Sequence, residues 1–170
     1  MPDQDSTSAS APALVVGLGN PLLGDDGLGW HIAEQLQREL CGLTGAIEVD
    51  CLSVGGLHLM ERLVGYDRVI LIDAVFTGQQ AVGSLHCLSL DELPDLCCGH
   101  LNSSHDVSLR TAFQMGRALG IALPHDVRIV GVEAQRIYDF SEELTPLVVA
   151  AVPIAVQTVK DLLGQLAAEE

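Results

Sequence analysis

The stretch from Leu14 to Gly29 (Leu-Val-Val-Gly-Leu-Gly-Asn-Pro-Leu-Leu-Gly-Asp-Asp-Gly-Leu-Gly) constrains this chain more than any other. A short apolar run leads into a glycine-rich turn, and an amphipathic pattern follows at once. That order predicts a buried strand from Ala13 to Gly17, a tight loop, and a helix entered at Gly27. Units of this kind build parallel sheets and place ligand sites at the loop. The adjacent carboxylates Asp25 and Asp26 argue against a phosphate cradle. A helix N-terminus attracts anions, and here the chain supplies its own. The dinucleotide fingerprint is also incomplete, because Leu22 stands where its third glycine belongs.

The rest of the chain repeats the alternation. Gly29, Ile32, Ala33, Leu36 and Leu40 share one helical face, and Gly42 and Gly45 mark the helix end. A second strand covers Ala46 to Leu52, a short helix Leu57 to Leu63, and a third strand Arg68 to Asp73. Gly83 to Leu88 reads as a fourth strand. It follows the third after about nine residues, too few for a parallel crossover, so it is expected as an antiparallel edge strand. A polar loop, Ser89 to Ser104, precedes a helix from His105 to Leu119. The fifth strand is Asp126 to Val132. After a loop from Glu133 to Glu143, Thr145 and Pro146 suit the N-cap and first turn of a last helix. That helix extends to about Leu166, with a kink expected at Pro153. The fold class is α/β: three layers, α/β/α, with a twisted, mostly parallel five-stranded sheet and one antiparallel edge strand.

With 170 residues, one domain over 13–170 is expected, behind a disordered leader at 1–12. The leader has neither the basic nor the apolar region of a signal peptide. The net charge of −15 disfavours nucleic acid as a partner. The longest apolar run, Leu147 to Val156, is short of the roughly 20 residues that span a bilayer, so no membrane partner is expected either. Five cysteines without a C-x-x-C suggest a reduced, cytoplasmic protein. Cys51 and Cys87 are expected in the core, and Cys97 and Cys98 in a polar loop.

Several polar residues should meet at the carboxyl edge of the sheet, where open α/β sheets bind ligands. Asp25 and Asp26 follow the first strand, Asp50 lies near the end of the second, and Asp73 closes the third. His105 and Asp106 open a helix that starts at the same edge. Carboxylates and one imidazole suit a divalent metal with open positions. Each residue also has a structural alternative: Asp25 or Asp26 as a helix cap (the cap is favoured for Asp25), Asp73 as an acceptor for loop N–H groups, and His105 as a solvated helix residue. His31, His58, His86, His100 and His125 lack that placement and read as surface or structural. Asp50 is a second candidate for holding the opening loop, and Glu133 for shaping a cleft.

Four blocks carry a family resemblance: Gly17 to Gly29; Ile72-Asp73-Ala74; Ser103-Ser104-His105-Asp106-Val107-Ser108-Leu109; and Gly131-Val132-Glu133 with Glu143-Leu144-Thr145-Pro146. In that order they resemble the hydrogenase maturation endopeptidases, which trim nickel–iron hydrogenase large subunits. The resemblance implies a metal-binding and catalytic triad of Asp26, Asp73 and His105, with Asp26 standing where some members carry Glu. It implies one cut near the C-terminus of a large-subunit precursor, after nickel insertion, by a monomeric enzyme. The nickel is implied to belong to the substrate rather than to be a resident ion. A non-proteolytic nickel-binding assembly factor is the alternative. The chain has no G-x-S-x-G and no cysteine with an evident histidine partner.

Overall fold

A computed structural model describes residues 13–40, 47–92 and 108–168, with side chains to Gln165. Five strands form one sheet: β1 (Ala13–Leu18), β2 (Ile47–Leu52), β3 (Arg68–Val75), β4 (Leu85–Ser89) and β5 (Asp126–Glu133). Their order is β2-β1-β3-β5-β4. All pairs are parallel except β4 with β5. The short link after the third strand therefore builds the antiparallel edge expected of it.

Among the described residues, four α-helices cover the sheet: α1 (Leu28–Glu39), α2 (Gly56–Leu63), α3 (Leu109–Ala118) and α4 (Pro146–Ala168). On one face Val15, Ile70, Ile72, Val130 and Val132 pack with Ile32 and Leu36 of α1 and Val148, Ala155 and Val159 of α4. On the other, Leu14, Val16, Leu71 and Ile129 pack with Leu59 and Leu63 of α2 and Leu109 and Phe113 of α3. Both faces of the central strands are thus buried, which is why they read as unbroken apolar runs rather than alternating ones. The stretch Pro146–Gln165 of α4, with mean hydropathy 1.6, is long and apolar enough to cross a membrane. Here it packs Val148, Ala151, Ala155, Val156 and Val159 into the core. It runs through Pro153 as a single helix.

Among the described residues, the starts of β4 and α3 and the end of β3 differ from expectation by two residues or more. β3 continues two residues past Asp73, because Ala74 and Val75 still pair with Val132 and Glu133. β4 begins at Leu85, not Gly83. α3 starts at Leu109 rather than His105, because the Ser108 side chain accepts a hydrogen bond from the Thr111 N–H and caps it there. Cys87 is exposed and not in the core: α4 covers Val130 and Val132, but not the neighbouring residue on the edge strand. The leader 1–12, Cys41, Cys97, Cys98, His100, His105 and Asp106 lie outside the described residues.

Candidate active site

The opening loop is fixed by its own backbone. Asn20 starts a turn in which its carbonyl accepts from Leu23 N–H at 3.0 Å and its side-chain Oδ1 accepts from Leu22 N–H at 3.0 Å. Gly19 adopts φ 131°, a region open mainly to glycine, and a Cβ there would collide with the Asp26 carbonyl. Its N–H donates to Leu52 O at 3.1 Å, and its carbonyl accepts from the Ser53 hydroxyl at 2.7 Å. The loop is therefore stapled to the end of β2. It closes in a 3-10 turn, Gly24–Gly27, that packs against β3 and leads into α1.

The two aspartates of that turn do different things. Asp26 is 6% exposed, and its Oδ2 accepts from Asn20 N–H at 2.7 Å. That bond holds the carboxylate to the start of its own loop. Asp25 does not cap α1, which has no side-chain cap at all. Its carboxylate is fully buried and accepts from the N–H groups of Gln135 (3.4 Å), Arg136 (3.2 Å) and Thr145 (2.7 Å) and from the Thr145 hydroxyl (3.0 Å). Thr145 immediately precedes α4, so this negative charge also lies at the positive end of that helix. Asp25 ties the opening loop to the segment 135–145. Gln135 and Thr145 lose a charged acceptor in Asp25→Asn, and the amide brings two donors into a ring of donors. The expected cost is about 1.5–3 kcal/mol, read as a fall of about 3–12 °C in the thermal midpoint by circular dichroism.

Asp73 is fully buried near the carboxyl end of β3, level with Gly131 of β5. The 3-10 turn that carries Asp26 touches β3, the strand that carries Asp73, and β1 and β3 run parallel. On the far side of Gly131 stands His86 of β4, in register with the same glycine. Its Nε2 lies 3.4 Å from Glu133 Oε2. Glu133 is buried and accepts from Thr77 N–H, Thr77 hydroxyl and Gly78 N–H, each at 2.8 Å. It holds the β3–β4 connection. The alternation of β4 alone could have placed His86 on the face shared with Asp73.

Asp50 does not hold the opening loop. Its oxygens accept from Cys51 N–H (2.8 Å) and Arg62 Nε (3.0 Å), and Arg62 also pairs with Glu48. His31, His58 and His125 are exposed. Burial pushes the Cys51 thiol up to about 11, so it stays protonated at neutral pH and is no nucleophile. Among the described residues no group of three His, Cys, Asp or Glu side chains is placed to hold a metal ion.

The sequence model of a hydrogenase maturation protease family (HycI) matches residues 31–162. The chain is 28% identical over 156 residues to the hydrogenase 2 maturation protease of Escherichia coli, covering 92% of this chain and 93% of that one. It is 26% identical over 152 residues to the hydrogenase expression/formation protein HupD of Thiocapsa roseopersicina, covering 89% and 67%. Among solved structures, the hydrogenase maturating endopeptidase HybD of E. coli superposes with a TM-score of 0.71 at 24% identity, over 91% of this chain and 93% of that one. The nickel–iron hydrogenase maturation protease HybD of Thermococcus kodakarensis gives 0.65 at 25% identity, over 89% and 98%.

Proposed function

We propose, for a chain that belongs to the hydrogenase maturation protease family, that it makes a single cut near the C-terminus of a nickel–iron hydrogenase large-subunit precursor. The cut follows nickel insertion, and the nickel held by the precursor is the signal that licenses it. The observation that supports this reading is the burial of Asp26 in the 3-10 turn and of Asp73 in β3, two elements that touch. The two carboxylates leave most of a metal's coordination to the incoming substrate. His105, from the family resemblance, is the third donor.

In the chemistry proposed, a water oxygen adds to the scissile carbonyl carbon and the C–N bond breaks. The water's proton passes to a carboxylate, Asp26 or Asp73, and on to the leaving amine. The precursor's nickel polarises the carbonyl as a Lewis acid and fixes the peptide in place. The odd cysteine count without a C-x-x-C suits a reducing cytoplasm.

The test is intact-mass spectrometry of purified nickel-loaded precursor after incubation with the purified chain. The expected result is one shorter large subunit and one released peptide whose masses sum to the precursor plus one water. Stable association without either product would instead assign the chain to a non-proteolytic assembly role.

A further inference from the structure

Three loops leave the carboxyl ends of β1, β3 and β5, and each presents an apolar side chain to solvent. Leu22 and Phe76 are both 44% exposed, Tyr138 is 80% exposed and Phe140 86%. The loops are joined through their backbones. Ser141 N–H donates to Leu22 O at 3.0 Å, Gly24 N–H to Ser141 O at 2.6 Å, and Ala134 N–H to Val75 O at 2.8 Å. Asp25 anchors both ends of the third loop, at Gln135–Arg136 and at Thr145. The four residues therefore form a collar on the same edge as Asp26 and Asp73, and the aromatics stand on a backbone held from both sides.

Single exposed apolar residues are ordinary, but a cluster on a functional edge marks a contact surface. Aromatic side chains that protrude from a fixed backbone are the type that carries interface energy, because little freedom is lost when they dock. The charge around them is one-sided. Asp139, Glu142 and Glu143 are exposed in the same loop, its Arg136 is engaged by Asp139, and the whole chain carries −15. An acidic partner is repelled by such a rim, and a basic one is drawn in.

We propose that this collar is where the large-subunit precursor docks, through an apolar strip bordered by Lys and Arg, so that its C-terminal segment is delivered to Asp26 and Asp73. This rests on the protease function proposed above. It adds the recognition surface and the chemistry of what the surface recognises: Tyr138 and Phe140 are binding residues with no part in bond cleavage.

The experiment measures equilibrium binding of nickel-loaded precursor alongside its cleavage. The double variant Tyr138→Ser/Phe140→Ser is expected to weaken binding and raise KM at least ~10-fold, with kcat at saturation within about 2-fold of the parent. Tyr138→Phe/Phe140→Tyr is expected to bind as the parent does. Glu142→Lys/Glu143→Lys, a surface change that leaves the aromatics in place, is expected to weaken binding at low salt and to lose that effect at high salt. Thermal melts of each variant confirm the fold. Parent-like binding by the folded Tyr138→Ser/Phe140→Ser variant overturns the docking surface and leaves the protease function standing. Tight binding without cleavage by the parent chain overturns the protease function and leaves the docking surface standing.

Discussion

Asp26→Asn and Asp73→Asn are each expected to slow precursor processing by about 100-fold or more while leaving the protein folded. Asparagine at 26 keeps an oxygen that accepts from Asn20 N–H, so the loop keeps its shape. It loses the charge that holds a metal or takes a proton. Contributions of that kind are worth several kcal/mol, and each 1.36 kcal/mol is a tenfold change in rate. Asp25 is the built-in control. It is next in sequence and just as buried, but its carboxylate is spent on the segment 135–145. Its amide variant should lower the thermal midpoint far more than kcat. Initial rates of precursor cleavage, measured with melts, separate the two effects. Rates within about 3-fold of the parent in both Asp26 and Asp73 variants would remove these residues from the site.

Gly29→Ala should be strongly destabilising. In an ordinary helix this change stabilises by up to about 1 kcal/mol. Here the added Cβ collides with the carbonyl of Leu18 and comes to 2.7 Å from that of Ile72. Both are backbone atoms of the central strands β1 and β3, so nothing nearby can move aside. Across the contact is another glycine, Gly17, whose own Cβ would meet Ala33 Cβ at 2.7 Å. The pair lets α1 lie directly on β1. Overpacking of this kind costs about 1–3 kcal/mol, and more where backbone is struck. The thermal midpoint is expected to fall by roughly 6–12 °C. Activity should fall with it, because the 3-10 turn bearing Asp26 runs straight into α1. A midpoint equal to or above the parent's would show that α1 is not seated on β1 in this way.

Much of this was readable from residues alone. Central strands covered on both faces cannot alternate, so β1 and β3 announced themselves as apolar runs. The short step to β4 left no room for a crossover. Asp26 and Asp73 fell on one edge because parallel strands deliver their ends to the same side. What could not be read were bonds between distant segments. The partners of Asp25 lie 110 to 120 residues away, and those of Glu133 about 55. A carboxylate before a helix looks locally like a cap, and only the fold shows it turned to other donors. The start of α3 was ambiguous because Ser103, Ser104, Asp106 and Ser108 are all capping residues. Tyr138 and Phe140 sit in a loop with no periodicity, so no pattern separated docked aromatics from exposed ones.

The most direct measurement compares cleavage of nickel-loaded and nickel-free precursor by the parent chain, followed by intact mass over time. The expected result is complete conversion of the loaded precursor to the shortened subunit and its peptide, with the nickel-free precursor left uncut. Equal cleavage of both would contradict a site in which Asp26 and Asp73 meet a metal carried by the substrate.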